Sequence, residues 1–371
     1  MEGNQLKIQS MNRLQGAWSP WIGMIALFAL LVVTTGQPLG AQTGGRQVFG
    51  MVLHSSDPMT LSQGGFAPVW GTQSPLRSLS NPALLETGLG RSYAAAWVQR
   101  SAGLGQGEVA WVVPTPQESR WTMAWGARFS GTGSMARTNP FGQMEGEHRA
   151  SEGALIYSLA HRFSPRWNWG VQGRLYSSQL GGYAAWGGGL GLALRYEDPE
   201  QRRAYALLMD DLTLVFRDYL PGSLGQRLVP RRVSLITTQA LAHLPLRWTL
   251  GLQHLENWSL RYQDPNDPFQ NRVFSLNDSD TLRESALSAV RQELFLHLVL
   301  GAEINLGKYL RFRTGYQALS RAEWSFPERT GGSGFRWGLA LETKRIRMEF
   351  TTFPQTLAGR TSAFSLTFVP H

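Results

Sequence analysis

The stretch Arg345-Ile346-Arg347-Met348-Glu349-Phe350 alternates charged and apolar residues without a break. Successive side chains of a strand point to opposite faces, so Arg345, Arg347 and Glu349 share one face while Ile346, Met348 and Phe350 share the other. Two folds suit the pattern. A soluble β-sandwich would bury the apolar face and leave the charges in outside water. A membrane β-barrel would set the apolar face against lipid and the charges in an aqueous interior. The rest of the chain decides which face is wet.

Similar alternation recurs from about residue 91 onward. Trp121, Met123, Trp125, Ala127 and Phe129 share a face, as do Phe335, Trp337, Leu339 and Leu341, with Arg336, Gly338, Ala340 and Glu342 between the latter. Period-two patterning of this kind predicts fourteen strands, near 91–99, 106–114, 120–129, 153–163, 166–178, 184–196, 202–210, 231–241, 246–255, 293–306, 308–318, 334–343, 345–353 and 361–369. Composition agrees. Only 16% of the 371 residues are charged, whereas Gly (41), Trp (14), Phe (17) and Tyr (10) are abundant, a mix that favours strands and turns over helices.

The connections separate the two folds. Counted from the first strand, every second connection is short: 115–119, 164–165, 197–201, 242–245, around Gly307 and around Lys344. The others include the long polar stretches 130–152, 211–230, 256–292 and 319–333. Short turns at one end and long loops at the other are the mark of an outer-membrane barrel, and a sandwich has no reason to sort its loops by parity. A charged side chain on the lipid face would cost roughly 2–4 kcal/mol at the bilayer midplane. Arg128, Arg174, Arg195, Arg247, Glu303, Arg311, Arg313, Arg336, Glu342, Arg345, Arg347 and Glu349 are therefore predicted to face the lumen. Trp97, Trp121, Trp167, Trp186, Trp248 and Trp324 lie near strand ends and suit interfacial aromatic belts.

The N-terminus has Lys7 and Arg13 ahead of an apolar run from Trp21 to about Val33, then small residues near Gly36 and Ala41. It reads as a signal peptide over 1–41, with a single-pass anchor as the alternative; the run is shorter than the ~20 residues a spanning helix needs. The formal charge of +9 is spread along the strands rather than gathered in a patch, so no nucleic-acid partner is expected, and an anionic surface is the better match. The chain has no cysteine, which excludes disulfides and thiolate metal sites. Its seven histidines show no metal-ligand spacing, and no Gly-x-Ser-x-Gly elbow is present. No catalytic, cofactor or metal site is expected. Asp210-Asp211, at a predicted strand end, reads as a solvated terminus ahead of a paired-carboxylate site. Asp280 to Val290, with Glu284 placed for a capping box, reads as a short helix within the longest loop.

Ser80-Asn81-Pro82-Ala83-Leu84-Leu85 resembles the plug region of FadL-like fourteen-stranded outer-membrane proteins. The segment from Ala242 to Tyr262 resembles the PorQ-like proteins of the type IX secretion system. So do Leu298 to Glu303, Leu310 to Tyr316, Gly334 to Gly338 and Leu357 to Gly359, in the same order. The resemblance covers roughly 48–369 and departs near 55–66, where this chain reads Met59-Thr60-Leu61-Ser62-Gln63-Gly64-Gly65. It implies an all-β chain in the bacterial outer membrane: a 14-stranded antiparallel FadL-like barrel over 91–369 with an N-terminal plug over 42–90, in which Asn81, Pro82 and Ala83 dock inside the barrel. An exposed periplasmic lead-in is the alternative for that segment. The implied function is to anchor a PorZ-like surface protein, and through it the sortase PorU and the shuttle PorV, beside outer-membrane lipid and lipopolysaccharide. A FadL-like channel for hydrophobic small molecules is the alternative. Within the 256–292 loop, Phe269, Arg272, Phe274, Leu276 and Arg283 are the expected partner-binding residues, since aromatic and arginine side chains carry most interface energy.

Overall fold

The structure is a computed structural model that describes residues 48–370 except 51, 72–73, 117, 140, 220–231, 261–285, 325–331 and 357–358. The predicted signal segment 1–41 lies outside the described residues, as do 42–47 and the five predicted loop residues Phe269, Arg272, Phe274, Leu276 and Arg283.

Fourteen antiparallel strands close into a barrel. They are β1 (Tyr93–Gln99), β2 (Gly105–Val112), β3 (Trp121–Gly131), β6 (Ala150–Ser164), β7 (Trp167–Leu180), β8 (Tyr183–Asp198), β9 (Arg203–Arg217), β10 (Arg232–Ala240), β11 (Leu246–Leu252), β12 (Leu298–Leu306), β13 (Leu310–Gln317), β14 (Phe335–Glu342), β15 (Ile346–Thr356) and β16 (Gly359–Phe368). A separate hairpin, β4 (Met135–Thr138) with β5 (Met144–His148), rises from the β3–β6 connection, and β1 pairs with β16 to close the ring. Every wall strand has two partners, so no edge is left exposed.

The faces fall as the alternation requires. On β15, Ile346, Met348 and Phe350 point outward and are exposed, whereas Glu349 is buried inside and Arg347 half-buried. Opposite them on β14, Leu341 and Leu339 pair with Met348 and Phe350, and Glu342 and Ala340 with Arg347 and Glu349. The wet face of the opening stretch is the lumen. Arg345 departs from this: it sits exposed in the β14–β15 turn, before the strand begins. The two preceding residues already close that turn, with Thr343 N donating to Ile346 O.

Other boundaries also move. The predicted strand over 293–306 starts only at Leu298, because Ala286–His297 forms a helix, α3, whose Glu293 and His297 face inward one turn apart. The described helix thus overlaps the predicted 280–290 helix only at its end. β9 runs past Asp210-Asp211 to Arg217, so that acid pair is not a solvated terminus but a buried one within a strand. The register of β8 and β9 shifts beside it, and Asp211 takes a left-handed φ of 59°.

The connections at the end holding the β1 start and the β16 terminus are all short: 113–120, 165–166, 199–202, 241–245, 307–309 and 343–345. The opposite end carries the long ones, 132–149, 218–231, 253–297 and 318–334, together with the shorter 100–104, 181–182 and 357–358. Three shorter helices are described besides α3: α1 (Pro58–Ser62) and α2 (Pro75–Ser78) ahead of β1, and α4 (Ala318–Trp324) within the 318–334 connection.

Candidate functional site

The described residues of 48–92 form no strand of their own, and most of their side chains are buried. They pack inside the barrel. Asp57 caps a short turn of helix over Pro58–Ser62, accepting from Thr60 N at 2.9 Å, and Asn81 caps the 3-10 turn Pro82–Leu84, accepting from Ala83 N at 3.1 Å. Proline at the first helical position suits both turns, since that N–H would have no partner anyway.

An irregular segment inside a barrel has carbonyls that no neighbouring strand satisfies, and a buried carbonyl without a donor is costly. The wall supplies the donors. Arg128 donates to Leu79 O and Ser80 Oγ, both at 3.0 Å; Arg195 to Val69 O at 2.7 Å; Arg247 to Trp70 O at 2.9 Å and Gly71 O at 2.8 Å. Asn168 donates to Ala83 O and Leu85 O, and Gln172 to Ser78 O. Arginine fits this task because one guanidinium carries five donors in a fixed fork.

The charges of these arginines are met by carboxylates, and the pairs join into a chain. Arg77 of the inner segment lies 3.4 Å from Asp57 and 2.6 Å from Glu349 on β15. Glu349 lies 2.8 Å from Arg313, Arg313 2.6 Å from Glu303, and Glu303 2.7 Å from Arg247, which returns to the inner segment at Trp70. Arg247, Glu303 and Arg313 are direct cross-strand neighbours on β11, β12 and β13. Elsewhere on the wall, Glu108 pairs with Arg128 at 3.0 Å and accepts from Ser56 N at 2.6 Å, while Arg195 pairs with Glu86 at 2.5 Å. Arg174 bridges Asp210 and Asp211 at 2.6 and 2.5 Å, and Arg232 approaches both. The inner segment is bolted to strands around most of the circumference.

Close approach requires small wall residues. A Cβ on Gly170 would stand 2.5 Å from Pro82 C and 2.7 Å from Ala83 N. Asn81, Pro82 and Ala83 are thus seated on β7, all three buried, with Asn168 holding the carbonyl of Ala83 from the same strand. Gly315 plays the same part on β13 against the backbone of Ser62 to Gly64.

Beside these contacts, toward the long-loop end, lies a cavity of about 460 Å³. It is lined by His54, Phe66, Asn81, Arg100, Asp211, Arg232, Gln253, Gln317, Arg336 and Phe353 among others. Sequence reasoning placed Arg336 in the lumen but did not find the cavity. Its lining comes from the inner segment, the β1–β2 loop, five wall strands and the connections after β11 and β13, and no local pattern links them.

No protein-family model matches the chain, and no curated protein matches its sequence. Solved structures do resemble it in shape. The CymD monoaromatic hydrocarbon channel aligns with a TM-score of 0.50 at 12% identity, covering 86% of this chain and 99% of that one. The Pseudomonas putida toluene transporter TodX aligns at 0.48 and 10% identity over 86% and 98% of the two chains. A Pseudomonas aeruginosa FadL homologue aligns at 0.45 and 10% identity over 85% and 99%. What the chain shares with the CymD channel is the fold, a β-barrel matched over nearly that protein's whole length.

Proposed function

We propose that the chain is an outer-membrane anchor, a plugged barrel that holds a surface protein at its long-loop end. In the terms of its sequence resemblance it is the anchoring subunit of a type IX attachment complex, with a PorZ-like protein as partner and PorU and PorV reached through it. The observation that supports this best is the bolted lumen: the inner segment is tied to the wall by ion pairs and by side-chain bonds to its carbonyls, as suits a support rather than a passage. The outward faces are apolar and aromatic, as lipid requires.

A second reading draws on the fold shared with CymD, described as a monoaromatic hydrocarbon channel. A channel for hydrophobic compounds needs an apolar path past the inner segment. The interior instead presents charged side chains on strand after strand. Purification of the native complex from outer membranes tests both readings. Replacing residues 263–284 with a Gly-Ser turn should leave a heat-modifiable barrel but release the surface partner and leave secreted cargo unattached. Retained partner together with uptake of toluene by reconstituted vesicles would support the channel instead.

A further inference from the structure

The cavity at the long-loop end is cationic in a way the rest of the lumen is not. Below it, each buried arginine of the ionic chain meets a carboxylate. Arg100 and Arg336 do not. Both are half-buried, both line the cavity, and among the described residues neither has a carboxylate within ion-pair distance.

Their hydrogen bonds go to neutral groups alone. Arg100 donates to Gln106 Oε1 at 3.3 Å, and Gln106 in turn donates to His54 O. Arg336 donates to Gln317 Oε1, to Ser320 Oγ at 3.3 Å and to Leu61 O at 3.4 Å, and its guanidinium lies 4.6 Å from the centre of the Phe353 ring. The two acids that line the cavity offer little relief. Asp211 is already shared between Arg174 and Arg232, and Glu323 is exposed on α4. His54 is exposed to the cavity, and its enclosure within the barrel first, then Arg232, Arg100, Arg128 and Arg336, lower its pKa from the ordinary value. Two like charges held at one polar cavity, without a counter-ion, cost free energy that an anion would recover.

We propose that this cavity binds the carboxylate or phosphate of a small water-soluble molecule between the Arg100 and Arg336 guanidinium groups. Guanidinium forks match both oxyanions, which can accept two parallel N–H bonds. At about 460 Å³ the space falls within the range of small-molecule sites. Leu53, Leu61, Phe66, Ile236, Leu319 and Phe353 give it an apolar wall that would receive a short carbon skeleton. The inference is independent of whether the barrel anchors a partner or conducts.

Calorimetric titration of the purified full chain in detergent with sodium benzoate, and separately with inorganic phosphate, tests it. At least one should bind saturably at one site per chain and raise the thermal midpoint, since a ligand of the folded state stabilises it. Benzyl alcohol, of similar shape but uncharged, should not bind over the same range. An R100Q/R336Q double variant should bind at least tenfold more weakly and lose the anion-dependent rise in midpoint. Phospholipid that co-purifies with the unaltered chain and is absent from the double variant would place the anion on a lipid headgroup and overturn the soluble ligand. Absence of saturable binding, equal binding of benzyl alcohol, or an unaffected double variant would each overturn the site. The comparison of benzoate with benzyl alcohol needs no variant, so it decides even if the double variant fails to assemble.

Discussion

At the scale of single residues, Glu349 joins the inner segment to the ionic chain of the wall. It sits between Arg77 and Arg313, with Ser365 Oγ at 3.3 Å, and all but 1% of its surface is buried. A buried ion pair contributes little net stability over a well-packed apolar substitute, but removing one partner strands the other's charge. Glu349→Ala should therefore destabilise the protein by about 3–5 kcal/mol, read as lower resistance to heat or urea in detergent. Glu342→Ala, which removes one partner from each of the less buried Arg311 and Arg347, should cost much less. His54 makes a different prediction. Its pKa is depressed in the folded chain, so its contribution to stability is full above the unfolded value of ~6.5 and is lost as pH falls below that, toward the folded pKa. The cations that hold it down are Arg232, Arg100, Arg128 and Arg336. Acidification from pH 7.5 to 5 should lower the hydrogen-exchange protection factors, that is exchange rates corrected for their intrinsic pH dependence, in residues 48–60, and His54→Gln should flatten that dependence. Any other group that titrates over this range does so in both proteins, so the difference between the two isolates the histidine.

At the scale of elements, the inner segment depends on glycines in the wall. Gly170→Val would drive a side chain into the Pro82 and Ala83 backbone, at an overpacking cost of about 1–3 kcal/mol. The β7 ladder itself should survive, because valine is a good strand residue. The variant should thus remain heat-modifiable on gels yet show ion conductance in planar bilayers that the parent lacks. Unchanged conductance would mean that Asn81-Pro82-Ala83 is not what closes that side of the lumen. The same element shows what could be read from sequence. Each of the fourteen wall strands announced itself by alternation, because one face of a membrane strand must be apolar along its length. The β4–β5 hairpin did not, since both of its faces are exposed and Met135-Ala136-Arg137-Thr138 has no apolar side to repeat. The start of β12 was misplaced because Glu293-Leu294-Phe295-Leu296 gives no clear break between helical and extended spacing. The lumenal arginines were legible as lumenal, but their partners were not. Arg77 meets Glu349 across 272 positions of sequence, and a period-two pattern holds no information about which strands close a ring.

At the scale of the whole molecule, the barrel has a direction. Aromatic side chains form a ladder around its short-turn end: Tyr93 stacks on Trp111, Trp121 meets Trp169 edge-on at 5.7 Å, and Trp167 lies 4.8 Å from Tyr196, which stacks in turn on Tyr205. Rings of this kind favour the headgroup region, apolar on the body and polar at the tip. In the proposed outer-membrane setting they would place the lower membrane surface just above turns only a few residues long, with little chain protruding there. At the other end, β6 to β9 are 14 to 16 residues long, more than the 9–11 needed to span. In a bilayer they would lift the long connections, and the mouth of the cavity, clear of lipid. In outer-membrane barrels the short turns are periplasmic and the long loops extracellular. The chain has no cysteine, so single substitutions report their side without background. Phe141→Cys, at the tip of the β4–β5 hairpin where the native side chain is 89% exposed, should react with a membrane-impermeant maleimide on intact cells. Glu200→Cys, in the β8–β9 turn where the native side chain is 80% exposed, should react only after the outer membrane is opened. Labelling of Glu200→Cys but not Phe141→Cys on intact cells would invert the barrel. The long loops could then hold no surface partner, and the anchoring function would fall with the orientation.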